Sequence, residues 1–152
     1  MKFKLLPIII IVLITGSISA QWSVGARFGG ASGLSLKNYS KSGSLHFEAI
    51  SAFSLDENLD GFSLTLLGEK FGAFSEDGKL GAILGAGETM VFGDEFLLGL
   101  SGILGFDWRI GRIGLQVDWL PTWIFVNDSY FSPVNAAVTA RWMFGGRARP
   151  QY

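Results

Sequence analysis

Three features of the chain predict an all-β protein, closed into an eight-stranded antiparallel up-and-down transmembrane β-barrel. Along several runs, apolar residues alternate with small or polar ones at a period of two. Turn residues punctuate those runs at regular intervals. The apolar face carries the bulky Trp, Phe, Leu and Val residues, and the other face carries Gly, Ser, Thr and ionisable groups. The lumen of an eight-stranded barrel is just wide enough for packed side chains. It does not hold the bulky set while glycines line the outside. Turning the barrel inside out, with bulky residues toward lipid, gives the pattern of membrane-spanning barrels. Closure also satisfies every backbone amide and removes the sheet edges.

The chain has 152 residues, room for one domain. Residues 1–20 read as a secretory signal peptide. Lys2 and Lys4 form its positive start, Leu5 to Ile14 its apolar stretch, interrupted by Pro7, and Gly16, Ser17, Ser19 and Ala20 its small-residue end. That apolar stretch is about half of the ~20 residues that span a bilayer as a helix. Cleavage after Ala20 leaves a mature barrel domain, residues 21–152, with 10 basic and 13 acidic residues.

In chain order the expected strands are 22–29, 33–40, 44–55, 61–75, 80–92, 96–108, 113–126 and 134–144. In the first, Trp22, Val24, Ala26 and Phe28 oppose Ser23, Gly25, Arg27 and Gly29. The second begins after Gly29-Gly30-Ala31-Ser32-Gly33; if Gly30 merely bends one strand, the count falls to seven. In the third, Leu45, Phe47, Ala49 and Phe53 oppose His46, Glu48 and Ser54. The fourth follows the turn at Asp56 to Gly61 and ends at Glu76-Asp77-Gly78-Lys79. The fifth alternates poorly, with Leu80, Ala82 and Leu84 on the parity of Glu88, which leaves room for a bulge. The sixth sets Leu98, Leu100, Leu104, Phe106 and Trp108 against Ser101, Gly105 and Asp107. The seventh sets Ile113, Leu115, Val117 and Trp119 against Gly114, Gln116 and Asp118. The last, after Asn127 to Pro133, sets Ala140, Trp142 and Phe144 against Thr139 and Arg141.

Rings gather at strand ends, as interfacial girdles require. Trp22, Trp108 and Trp142 fall at one end; Phe92, Phe96, Trp123, Phe125, Tyr130 and Phe131 fall at the other. An even strand count puts both termini on one side. Turns on the opposite side carry Asp56, Glu57, Asp60, Asp94, Glu95 and Asp128, whereas the terminus side carries Lys41, Lys79, Arg109, Arg112, Arg147 and Arg149 against Glu76 and Asp77.

Eight ionisable residues fall on expected lumenal faces: Arg27, Lys37, Glu48, Glu69, Glu88, Asp107, Asp118 and Arg141. An unpaired buried charge costs several kcal/mol, so a salt-bridge network is expected to plug the barrel. Three bases against five acids require water, a protonated acid, or a residue assigned to the wrong face. The single histidine, His46, shares its face with Ser44 and Glu48, a trio that invites catalysis. Neighbours at i and i+2 on a strand are ~7 Å apart, too far for a direct triad, so no catalytic residue is assigned.

Other chemistry finds little footing. With no cysteine and one histidine there is no zinc pattern. Gly72 to Leu80 has neither the spacing nor the Ser or Thr of a phosphate loop. The Asp56-Glu57-Asn58-Leu59-Asp60 turn lacks Ca²⁺-loop spacing. Twelve basic residues against 13 acidic ones argue against nucleic acid, and no metal or cofactor is expected.

The stretches Gly102-Ile103-Leu104-Gly105-Phe106-Asp107-Trp108, Asp118-Trp119-Leu120-Pro121, Ala140-Arg141-Trp142-Met143-Phe144 and Gly29-Gly30-Ala31-Ser32-Gly33-Leu34 resemble the small outer-membrane barrels of Gram-negative bacteria, of the OmpA-like or OmpX-like shape. The resemblance implies a monomer in the bacterial outer membrane, among lipid and lipopolysaccharide. It also implies delivery by the barrel assembly machinery, which reads a closing aromatic residue; Phe144 or Tyr152 fits that part. The function expected is a small closed barrel with a structural or surface-interaction role and no catalysis. The alternatives are a lipid-modifying enzyme using His46, a secreted soluble barrel carrying an apolar ligand, and a narrow pore.

Overall fold

Each alternating run becomes a strand in the computed structural model, which describes residues 21–39, 45–54 and 61–145. The strands are β1 (Gln21–Gly29), β2 (Ala31–Tyr39), β3 (Leu45–Ser54), β4 (Phe62–Ala73), β5 (Leu80–Phe92), β6 (Phe96–Ile110), β7 (Ile113–Trp119), β8 (Thr122–Val126), β9 (Tyr130–Ser132) and β10 (Ala136–Phe144). Antiparallel pairing runs β1 to β6 in chain order, then β6 to β7, β7 to β10 and β10 back to β1. The sheet is therefore a closed ring of eight.

The two extra strands come from interruptions near prolines, which have no N–H for a ladder. β8 continues β7 along β6 after a break at Leu120-Pro121, and β9 pairs with β8 before a break at residues 133–135 leads into β10. The backbone bonds across these breaks: Gly102 N–H donates to the Pro121 carbonyl, and Leu120 N–H to that of Asn135. Gly30 reverses the chain instead of bending it, because Arg27 lies opposite Gly33. Gly29 at this corner has φ 149°, and a Cβ there would lie 2.3 Å from the Ala136 carbonyl oxygen. Eight wall strands follow, not seven.

The fifth strand carries no bulge. Its register is unbroken with β6 from Leu80 to Phe92 and with β4 from Gly81 to Phe92. Its alternation is faint in the sequence because glycine and alanine occupy both of its faces. The register break here lies between β6 and β8, at Leu98/Gly99.

One circuit along paired residues starts at Leu80, passes Trp108, Leu115, Ala140, Ala26, Leu34, Ser51 and Leu64, and returns to β5 at Met90. The barrel thus closes with a stagger of 10 residues, which tilts the strands about 40° from the axis.

The faces sort inside out. Phe28, Leu34, Phe53, Leu84, Phe106 and Trp123 are all more than half exposed on the outer surface. Arg27, Lys37, Glu69 and Asp107 are wholly buried in the lumen. The lumen is layered. Charged groups fill the end near the termini, where Trp22 pairs with Phe144. Above them sit Ile50, Ala52, Leu67, Ile83, Ile103 and Leu120. Hydroxyls follow: Thr65 bonds Thr89 at 2.8 Å, Thr89 bonds Ser101 at 2.6 Å, and Ser101 bonds Thr122 at 2.7 Å. Val91 and Ile124, with Leu97 and Tyr130 against them, form the last layer.

Candidate functional site

Long charged side chains need room inside a narrow barrel, and the sequence supplies it with glycine. Arg27 lies opposite Gly33, Arg141 opposite Gly25 and Gly114, Glu69 opposite Gly85, Asp107 opposite Gly81, and Asp118 opposite Gly105. A Cβ at Gly25 would lie 2.7 Å from the Arg141 Cβ, and one at Gly105 would lie 2.7 Å from the Asp118 Cβ. Gly25, Gly85, Gly105 and Gly114 leave space to the charged neighbour, whereas Gly33 and Gly81 let the next strand, and at Gly81 the Phe71 ring, approach closely.

The charges then pair across the lumen. Arg27 Nη1 donates to Asp118 Oδ2 at 2.8 Å. Arg141 Nη2 donates to Glu48 Oε1 at 2.9 Å, where the Ser35 hydroxyl also donates at 2.5 Å. Lys37 Nζ sits among three carboxylates, at 2.5 Å from Glu69, 3.5 Å from Glu48 and 3.7 Å from Asp107. Gln116 joins the two halves: it accepts from Lys37 Nζ at 2.8 Å and donates to Asp118 Oδ2 at 2.9 Å.

Seven of the eight expected lumenal residues lie inside, and Glu88 does not. It projects outward between Leu66 and Leu100 and is exposed. Its shared parity with Leu80 and Leu84, on an unbroken strand, is the physical reason. Sequence reasoning missed Arg109, read as a turn residue. It ends the inward parity of Asp107, and its guanidinium lies 4.4 Å from the ring centres of both Tyr39 and Phe71. Its Nε is 3.9 Å from Asp107 Oδ2. With Glu88 outside and Arg109 inside, four bases face four acids, and the excess of acid disappears. Counting Gly105, Asp107 and Arg109 as one face would have found it.

His46 is buried and packs edge-on to Tyr39 at 5.2 Å and to Phe71 at 5.9 Å between ring centres. Glu48, two residues on, turns its carboxylate to Arg141, Ser35 and Lys37. Ser44, the third member of the sequence trio, lies outside the described residues. Among the described residues, no three His, Cys, Asp or Glu side chains are arranged to hold a metal ion.

Trp108, Trp123 and Trp142 are about half exposed on the outer face, and Trp22 is partly so. Tyr130 does not join them. Its parity in β9 is that of the buried Ser132, so its ring turns inward against Val91 and Ile124, while Phe131 takes the outward place. Asp94, Glu95 and Asp128 are exposed at the end away from the termini, and Lys79 and Arg112 at the terminus end. Lys79 Nζ pairs there with Asp77 at 2.7 Å. Asp56, Glu57, Asp60, Lys41, Arg147 and Arg149 lie outside the described residues, as do residues 1–20. In comparisons with known proteins, no protein-family model and no curated protein matches the chain.

Proposed function

We propose that the chain is a small outer-membrane barrel of a Gram-negative bacterium, released from its signal peptide near Ala20. Its role is structural or surface-interacting, not catalytic. The observation that carries this reading is the distribution of side chains about the wall. An apolar belt of Phe, Leu, Val and Trp faces outward, while ion pairs and hydroxyls fill the interior. A soluble protein seldom exposes a continuous apolar surface of this kind, whereas lipid requires it. The packed apolar layer over the charged one supports a closed barrel rather than a pore.

The test is a detergent gel of membrane fractions, run with and without boiling. The expected result is a band in the outer-membrane fraction whose mobility changes only on heating. A protein recovered soluble from periplasm or medium, with no heat-dependent shift, would overturn the reading and favour a soluble carrier.

A further inference from the structure

The rim of the wall away from the termini is uneven. With strands tilted about 40°, each residue climbs about 2.6 Å along the barrel axis. A circuit of paired residues from β5 through β6 regains 10 residues, so each sideways step climbs about 3 Å. Measured from Leu80, Phe92 stands about 31 Å up and its partner Phe96 about 34 Å. Ala26 is four sideways steps from Leu80, through Trp108, Leu115 and Ala140, and Gly30 lies four residues further along the chain. The corner between β1 and β2 therefore reaches only about 23 Å. The other end is level. Trp22, Trp108 and Trp142 fall at about 2–4 Å on the same scale, so the difference is not a tilt of the whole barrel.

A lipid-facing band is about 25 Å tall, so from those tryptophans its upper edge passes near 28 Å, above the corner and below Phe92. We infer that the β1–β2 corner is covered by lipid acyl chains, while the described turns at Asp94–Glu95 and Asp128 stand in water. The inference rests on the membrane reading above. Hydrocarbon requires backbone groups to be satisfied within the protein, and the corner meets that demand. Ser32 Oγ accepts from the Gly29 N–H and its hydroxyl donates to the Gly29 carbonyl, each at 3.2 Å. Gly30 N–H donates to the Ala136 carbonyl at 3.0 Å. The segment Gly29-Gly30-Ala31-Ser32 carries no charge, whereas the two higher turns expose Asp94, Glu95 and Asp128. Around the corner, Phe28, Leu34 and Val134 offer apolar side chains that are each more than half exposed. Val134 borders it directly, since a Cβ on Gly30 would lie 2.7 Å from the Val134 carbonyl oxygen.

Depth measurements on the full barrel in phosphatidylcholine vesicles test this. Val134→Cys, Asp94→Cys and Val117→Cys each place a nitroxide on an exposed position, at the corner, on a higher turn and on the mid-wall respectively. Each variant is first shown to fold by its heat-dependent gel shift. Oxygen concentrates in hydrocarbon and a polar nickel complex in water. The expected result is that the label at 134 is relaxed severalfold more by oxygen than by the nickel complex, as at 117, and that the label at 94 shows the reverse. A label at 134 that behaves like the one at 94, while 117 reads hydrocarbon, overturns the inference and leaves the membrane reading standing. A label at 117 that reads water overturns the membrane reading, and this inference with it.

Discussion

Replacing Lys37 by Met removes the single ammonium that holds Glu69, Glu48 and Asp107 together. At an effective dielectric near 20, the Glu69 contact at 2.5 Å has a gross attraction of roughly 6–7 kcal/mol, and each of the longer two roughly 4–5 kcal/mol. Desolvating the charges offsets most of that, so the native pair adds little net stability. Losing one partner is different, because the carboxylates stay buried. Arg141 still serves Glu48 and Arg109 still lies near Asp107, which leaves Glu69 alone. The expected loss is about 3–5 kcal/mol. It is measured as the urea midpoint of the heat-sensitive gel band for protein folded into lipid vesicles. Changing Glu69→Gln as well removes the stranded charge, so Lys37→Met/Glu69→Gln should recover part of the loss, with a coupling of at least about 1.5 kcal/mol. A loss below about 1 kcal/mol, or a double variant no more stable than Lys37→Met alone, would refute the reasoning.

Three further outcomes are expected. Glu88→Leu should leave stability in vesicles unchanged or raised by up to about 2 kcal/mol, since it removes a carboxylate from the outer apolar belt; a loss would return Glu88 to the lumen. Gly85→Val should destabilise by about 1–3 kcal/mol, because a Cβ there would lie 2.3 Å from the Gly68 carbonyl oxygen, whereas Gly72→Ala, with nothing within 4 Å, should stay within about 0.5 kcal/mol in the same assay. Asp77, in the exposed turn after β4, is held down to about 2 by hydrogen bonding to the Lys79 side chain, and further by Ser75 and the Lys79 N–H. Its contribution to folding is therefore present above its ordinary value of 3.8 and is lost as pH falls through about 2. A carboxyl ¹³C titration should show that midpoint rise toward 3.8 in Lys79→Ala.

The strands were legible because a period of two survives in any segment with one bulky face, as in Ile113 to Trp119. Closure was legible too, since bulky residues outside and small ones inside suit a ring of eight; the stagger and the identity of the partners were not, because register is a long-range property. Nothing local in Gly105 says that it stands beside Asp118, or in Gly85 that it makes way for Glu69. Glu88 and Arg109 were misplaced for related reasons. The first sits on a strand whose two faces are both rich in small residues. The second ends a strand that runs two residues further than its turn signal suggested. Tyr130 was placed by its nearness to a strand end, which does not specify a face in a three-residue strand.

The long salt bridges bear on how the barrel is made. Arg27 on β1 reaches β7, Arg141 on β10 reaches β3, and Lys37 on β2 reaches β4 and β6. These contacts skip neighbouring strands, so an open sheet of the same strands, however well paired edge to edge, leaves Arg27, Arg141, Glu69 and Asp118 without them; Lys37 keeps Glu48 of adjacent β3 at 3.5 Å, and Asp107 keeps Arg109 of its own strand at 3.9 Å. A partly curled intermediate entering hydrocarbon would carry unpaired arginines and carboxylates with it. The free energy of the interior is therefore gained late and together, when the two ends of the sheet meet at β1 and β10. Assembly should be all-or-none and, on the proposed outer-membrane reading, closure should be complete before or as the wall enters lipid.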